Sequence, residues 1–157
     1  MGTGKTTIFD AISLALFGFT PKLRSSFSSS NNDSIRHILN EESKSCSVDL
    51  IFSFLNKEFF KASWSFRLTN SGNAVAPTRS LTRLNDKFER TELLYSGQQV
   101  GPANAIFSQT LHGLEFEDFI RSILLPQGGF AKFIEASIVG FIITSGLLIM
   151  GVKFSFL

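Results

Sequence analysis

The chain has 157 residues, 43% of them hydrophobic and 18% charged, with a formal net charge of +2 at neutral pH. That is chain enough for one ordinary domain with a core, and too small a charge to argue for a nucleic-acid footprint by itself. A single cysteine, Cys46, excludes an internal disulfide, and with no charged-then-apolar leader at the start the expected setting is reducing and cytoplasmic.

The first 18 residues, MGTGKTTIFDAISLALFG, dominate the reading. Gly4, Lys5 and Thr6 match the closing G-K-[ST] of a phosphate-binding loop. In such a loop, backbone N–H groups cradle phosphates, the lysine reaches the β and γ oxygens and the hydroxyl holds Mg²⁺. The opening glycine of the pattern falls ahead of Met1, as does the strand that delivers such a loop. A chance Gly-Lys-Thr is the bland alternative. The helix predicted directly afterwards favours the phosphate reading: Ile8, Ala11, Ile12 and Ala15 recur at helical spacing and Gly18 is a natural stop.

Thr20-Pro21 closes this helix, and Ser25 to Ser34 reads as an exposed polar loop. Ile35-Arg36-His37-Ile38 reads as a short connector in preference to a ligand contact. From Val48 the period changes to two: Val48, Leu50, Phe52 and Phe54 share one face, and Phe60, Ala62, Trp64 and Phe66 share a face of a second run. This predicts a β-hairpin turning through Asn56, Lys57 and Glu58, with Trp64 in the core rather than serving as a stacking platform and Cys46 as a strand-edge residue. A weaker third strand is predicted over Thr78 to Leu84, and the charges of Asn85 to Glu92 read as a solvated face. Val100 to Leu111 has helical spacing, with Gly113 just past its end. Glu115, Glu117 and Asp118 read as solvated residues at a helix start rather than metal ligands. An apolar run from Ile120 to Leu125, a turn at Pro126-Gln127-Gly128-Gly129 and a helix opening at Phe130 follow.

With these blocks and Gln127, the chain resembles the N-terminal half of the ATPase head of the SbcC family, the large subunit of the SbcCD exonuclease, related to SMC-like and ABC-type heads. The resemblance covers roughly Gly2 to Ala136. It rests on GTGKTTIFDAISLALFG followed by Thr20-Pro21, on Ile35-Arg36-His37, on Trp64-Ser65-Phe66-Arg67, and most specifically on LHGLEFEDFIRSILLPQGGFAKFIEA. It implies an α/β fold: a partial P-loop NTPase of the ABC-type head class, with an antiparallel β-hairpin and flanking helices. It also implies ATP and Mg²⁺, a second head in a homodimer, double-stranded DNA, and an SbcD-type nuclease as partner. Gly2, Thr3 and Gly4 would match the loop backbone, Lys5 the phosphate lysine, Thr6 the Mg²⁺ hydroxyl and Thr7 an α-phosphate contact. Gln127 would match the Q-loop glutamine that senses Mg²⁺ and the attacking water, so Lys5 and Gln127 carry the catalytic roles. The chain departs from the pattern in lacking strands before the loop, in Gly129 where a glutamate usually stands, and in lacking the coiled coil, signature motif, catalytic glutamate and switch histidine.

The family pattern breaks after Ala136, dividing the chain into a head segment, 1–136, and an apolar tail, 137–157. Residues 136–152 form an uncharged run of 17 containing three glycines, at the lower limit of a bilayer span. The break and the glycines favour a stray tail with nowhere to pack over a membrane or interfacial segment or a buried element, and membrane association is not expected. Two rivals to an active head stay open: an inactive truncated remnant, and a small membrane-associated protein with no ATPase activity.

Overall fold

Alternation of apolar and hydroxyl-bearing residues builds one sheet. In the computed structural model, which describes residues 3–20, 38–39, 42–54, 58–124, 143–144 and 147–156, the order of elements is α1 (Thr3–Phe17), β1 (Ser45–Phe54), β2 (Phe59–Arg67), β3 (Thr78–Leu84), β4 (Arg90–Gly97), α2 (Val100–Thr110), α3 (Phe116–Leu124), β5 (Ile143–Thr144) and β6 (Leu147–Phe156). The strands form a six-stranded sheet in the order β4-β3-β2-β1-β6-β5, antiparallel throughout.

The predicted hairpin is β1 and β2, in a register that pairs Val48 with Trp64, Leu50 with Ala62 and Phe52 with Phe60. All six side chains are buried on the inner face, as are Cys46 and Phe66. Ser45, Ser47 and Asp49 of β1 and Lys61, Ser63, Ser65 and Arg67 of β2 alternate with them, so they take the outer face. The turn residues Asn56 and Lys57 lie outside the described residues. Trp64 belongs to the core, stacked on Phe66 at 6.3 Å. Burying a ring of this size contributes about 1.5–3 kcal/mol, as do Phe52 and Phe107. Cys46 is buried within the ladder of β1, between Phe66 and Phe156, not at an edge of the sheet. Desolvation pushes its thiol up to about 12, which makes it an inert apolar side chain.

β3 spans the predicted residues. The charged stretch after it is exposed, as read, and its last residues open a strand that the spacing does not announce. Asn85 closes a turn by accepting from the Lys87 and Glu89 amides through its side chain, with Phe88 at φ 61, and the chain returns as β4. Arg90, Thr91 and Glu92 are exposed as expected, but as residues of an edge strand carrying ladder bulges and an Arg83–Glu92 ion pair at 3.3 Å. Charges and bulges on an edge discourage further pairing.

α1 crosses the inner face over β1, β2 and β6. The spacing predicts a single apolar stripe; instead Ala11, Ile12, Ser13, Leu14, Ala15 and Leu16 are all fully buried. A helix buried all round is the centre of a core. α2 packs on β3, β4 and α1 through Ala103 and Phe107, with Leu111 just past its last residue, while Val100 and Ala105, on the apolar spacing, point to solvent. Gly113, at φ 77, donates to the Ser108 carbonyl and ends it where the sequence places the stop. Glu117 and Asp118 occupy the first turn of α3, where carboxylates oppose the positive end of the helix dipole.

The apolar tail is a further correction. The reading that nothing in the head receives residues 137–157 is overturned for Leu147–Phe156, which forms β6 and pairs along β1 from Cys46 to Phe54. Residues 137–142 lie outside the described residues. Among the described residues no helix is long and apolar enough to cross a membrane.

Candidate phosphate-binding site

α1 begins at Thr3, so Gly4, Lys5, Thr6 and Thr7 lie in its first two turns. The first four backbone N–H groups of a helix have no partner within it, and the macrodipole makes that end favourable for anions. No acidic residue occupies the first turn of α1 to compete for those donors. Orphan amides, a lysine, three threonine hydroxyls and no carboxylate form a donor set that fits a phosphate chain with a divalent cation. Gly2 lies outside the described residues.

Two sets of contacts fix how α1 points. At its C-terminal end Gly18 adopts φ 83 and donates to the Leu14 carbonyl at 2.9 Å. A buried arginine of β3, Arg79, then donates to the Leu16 carbonyl at 2.9 Å and to Asn104 Oδ1 of α2 at 2.7 Å. Its guanidinium lies 4.1 Å from the Phe107 ring centroid. A cation at the negative end of a helix dipole is favourable. Burial nonetheless pushes the Arg79 pKa down to about 10, with Tyr95 acting the other way. A Cβ on Gly18 would stand 3.2 Å from the Arg79 side chain, so this glycine is needed for space as well as for φ. Sequence reasoning missed Arg79. Its one signal is a charged residue in step with Leu81 on the inward face of a strand.

The second set is aromatic. Phe116, at the start of α3, lies 5.3 Å from Phe17 and 4.5 Å from Phe19. Phe119, one turn on, lies 5.4 Å from Phe17 and 5.9 Å from Phe9. These rings tie the first turn of α3 to α1, Phe116 at its C-terminal end and Phe119 reaching back to Phe9. Gln127 follows three residues after Leu124, the last of α3, and lies outside the described residues, as do Arg36 and His37.

A helix with Gly-Lys-Thr in its first turns, buried from Ala11 to Leu16 against a sheet and held at its far end by Arg79, suits a nucleoside-triphosphate-binding type of domain. The match to known families agrees: residues 1–139 match the AAA domain, and the chain belongs to that family. Among curated proteins it is 31% identical over 146 residues to the SbcC component of the nuclease SbcCD of Pseudomonas aeruginosa, covering 87% of this chain and 12% of that protein. It is 29% identical over 136 residues to the SbcC component of the same nuclease in Clostridium acetobutylicum, covering 85% of this chain and 10% of the relative. Over 136 residues it is also 29% identical to the probable DNA double-strand break repair Rad50 ATPase of Aquifex aeolicus, covering 87% and 12% respectively. The chain thus spans about an eighth or less of the length of these relatives. The resemblance read from the motifs holds, and so does the fold class: a partial P-loop ATPase fold of the α/β class, its described sheet antiparallel and flanked by helices. β6 lies beyond the matched residues.

Proposed function

We propose that residues 1–136 are the nucleotide-binding lobe of an SbcC-type ATPase head and that residues 137–157, outside the family pattern, add a strand to it. The observation that supports this reading is the family match over residues 1–139 together with Gly-Lys-Thr in the first turns of the buried helix α1. The amides of Gly2, Thr3 and Gly4 would hold phosphate oxygens, Lys5 would neutralise the β and γ charge, and Thr7 would contact the α-phosphate. Thr6 and Gln127 would hold Mg²⁺, with Gln127 also orienting water. Bound ATP with Mg²⁺ supplies the phosphoryl group and a divalent charge; the chain's own task is placement and charge stabilisation. Hydrolysis would require a second head contributing groups outside these 157 residues. An SbcD-type nuclease, double-stranded DNA and a cytoplasmic setting belong to the same proposal.

Calorimetric titration with ATP and Mg²⁺ tests the site. Weak, Mg²⁺-dependent binding is expected, falling about tenfold or more in Lys5→Ala, because a charge-assisted contact contributes about 1.5–3 kcal/mol. Equal binding by the variant would overturn the assignment.

A further inference from the structure

The sheet's outer face holds a second polar site, at the opposite end of α1 from Gly-Lys-Thr. A cleft of about 280 Å³ opens there, lined by Ser45, Ser47, Ser65, Arg67, Thr78 and Gln98 among others. Ser47 pairs with Ser65 and Ser65 with Thr78, so three hydroxyl-bearing residues form a continuous row across β1, β2 and β3, with the Ser45–Arg67 pair beside it. The wall is built, not incidental. Residues 68–77 fold back through the Leu68–Ala74 bridge, the Val75 amide donates to the Arg67 carbonyl at 3.1 Å, and Gln98 Nε2 ties down the Ala76 carbonyl at 3.0 Å.

The charge balance decides what fits. The carboxylate on the neighbouring row, Asp49, is already engaged by Lys61 Nζ at 3.3 Å and Ser63 Oγ at 2.6 Å. Arg67 has no partner among the described residues and is the only charged residue lining the cleft. A guanidinium fork beside a row of hydroxyls, one of them, Thr78 Oγ1, 3.5 Å from Gln98 Nε2, suits a tetrahedral oxyanion. Thr78 adjoins Arg79, which holds the Leu16 carbonyl, so the cleft lies near the C-terminal end of α1. That helix is 15 residues long, or about 22 Å, which separates the cleft from the Gly-Lys-Thr end.

We propose that this cleft is a second anion site, taking a phosphate group through Arg67, Ser47, Ser65 and Thr78. The test is amide chemical-shift titration of the full chain with inorganic phosphate and, separately, with phenyl phosphate. Saturable shifts at Ser47, Ser65 and Arg67 are expected, weakened about tenfold in Arg67→Ala, less in Arg67→Lys, and unchanged in Lys5→Ala. The Lys5 variant separates this site from the phosphate loop, so either assignment can fail without the other. Binding of phenyl phosphate at least as tight as inorganic phosphate identifies an ester as the ligand; binding of inorganic phosphate alone identifies the free ion. No saturable shift at these amides, or an Arg67→Ala curve that overlays the parent, overturns the proposal. Ser65→Ala is the second variant, since both residues are exposed and their replacement leaves the fold intact.

Discussion

Replacing Arg79 by methionine asks whether a buried cation without a carboxylate can hold a fold together. Arg79 is 7% exposed and makes two charge-assisted hydrogen bonds, to the Leu16 carbonyl and to Asn104. At about 1.5–3 kcal/mol each these are worth about 3–6 kcal/mol, and a desolvated cation over the Phe107 ring adds up to about 2. Against this stands desolvation: lowering the pKa from 12.5 to about 10 corresponds to about 3 kcal/mol. The difference is about 0–5 kcal/mol, and the Leu16 carbonyl left unpaired in the variant adds about 1–3, so Arg79→Met is expected to be destabilised by at least about 1 kcal/mol. The Trp64 indole, buried and in register with Arg79 across β2 and β3, reports unfolding directly. Urea denaturation followed by its fluorescence measures the effect. An Arg79→Met protein as stable as the parent would refute the reasoning, because the desolvation cost would then equal everything the arginine contributes.

Gly18→Ala is expected to lose about 1–2 kcal/mol from its positive φ alone, and more from the approach to Arg79, so combined with Arg79→Met it should cost less than the sum of the two. The Cys46 thiol should resist a disulfide reagent at pH 8 in the native chain and react at once in urea. Its folded pKa, raised from 9.0 to about 12, gives stability that is present below pH 9 and lost as pH rises toward 12. Urea midpoints at pH 8 and pH 10 should therefore fall less in Cys46→Ala than in the parent. The isolated chain should bind nucleotide without turning it over; Mg²⁺-dependent hydrolysis that disappears in Lys5→Ala would restore an active enzyme. Deleting residues 147–157 should lower solubility, since it bares β1; a larger soluble fraction would return those residues to a stray tail.

Much of the fold was legible because a short period carries burial information. Val48 to Phe54 and Phe60 to Phe66 announce two strands with one buried face, and Ala103, Phe107 and Leu111 announce a helix with one buried stripe. The elements that escaped do so for physical reasons. β4 turns through Phe88 at positive φ where a glycine would have been a signal, and its exposed edge tolerates charge. The full burial of α1 was hidden because Ser13 interrupts the apolar pattern while lying in the core. The phosphate motif named the chemistry of the site, but its orientation comes from Phe9, Phe17, Phe116 and Phe119, and no one of eighteen phenylalanines is distinguishable in the sequence as a helix-to-helix contact.

The last strand shows what composition leaves open. An uncharged, β-branched, glycine-containing run satisfies the terms of a marginal span, an aggregating tail or a buried strand almost equally. What separates these readings lies elsewhere in the chain, at β1. That strand is apolar on its inner face, and its only charged residue, Asp49, faces outward, so one side of its backbone needs a partner if β2 takes the other. Leu147–Phe156 supplies it in a register that sets Val48 opposite Phe154, Asp49 opposite Lys153 and Leu50 opposite Val152. A single residue's slip would set Lys153 opposite Val48 or Leu50, residues of the core row. The lone charge of β6 therefore acts as a register mark: Lys153→Leu should leave the strand paired but free to shift, detectable as loss of a single set of β6 amide resonances, whereas an unchanged spectrum would show that apolar matching alone holds the register.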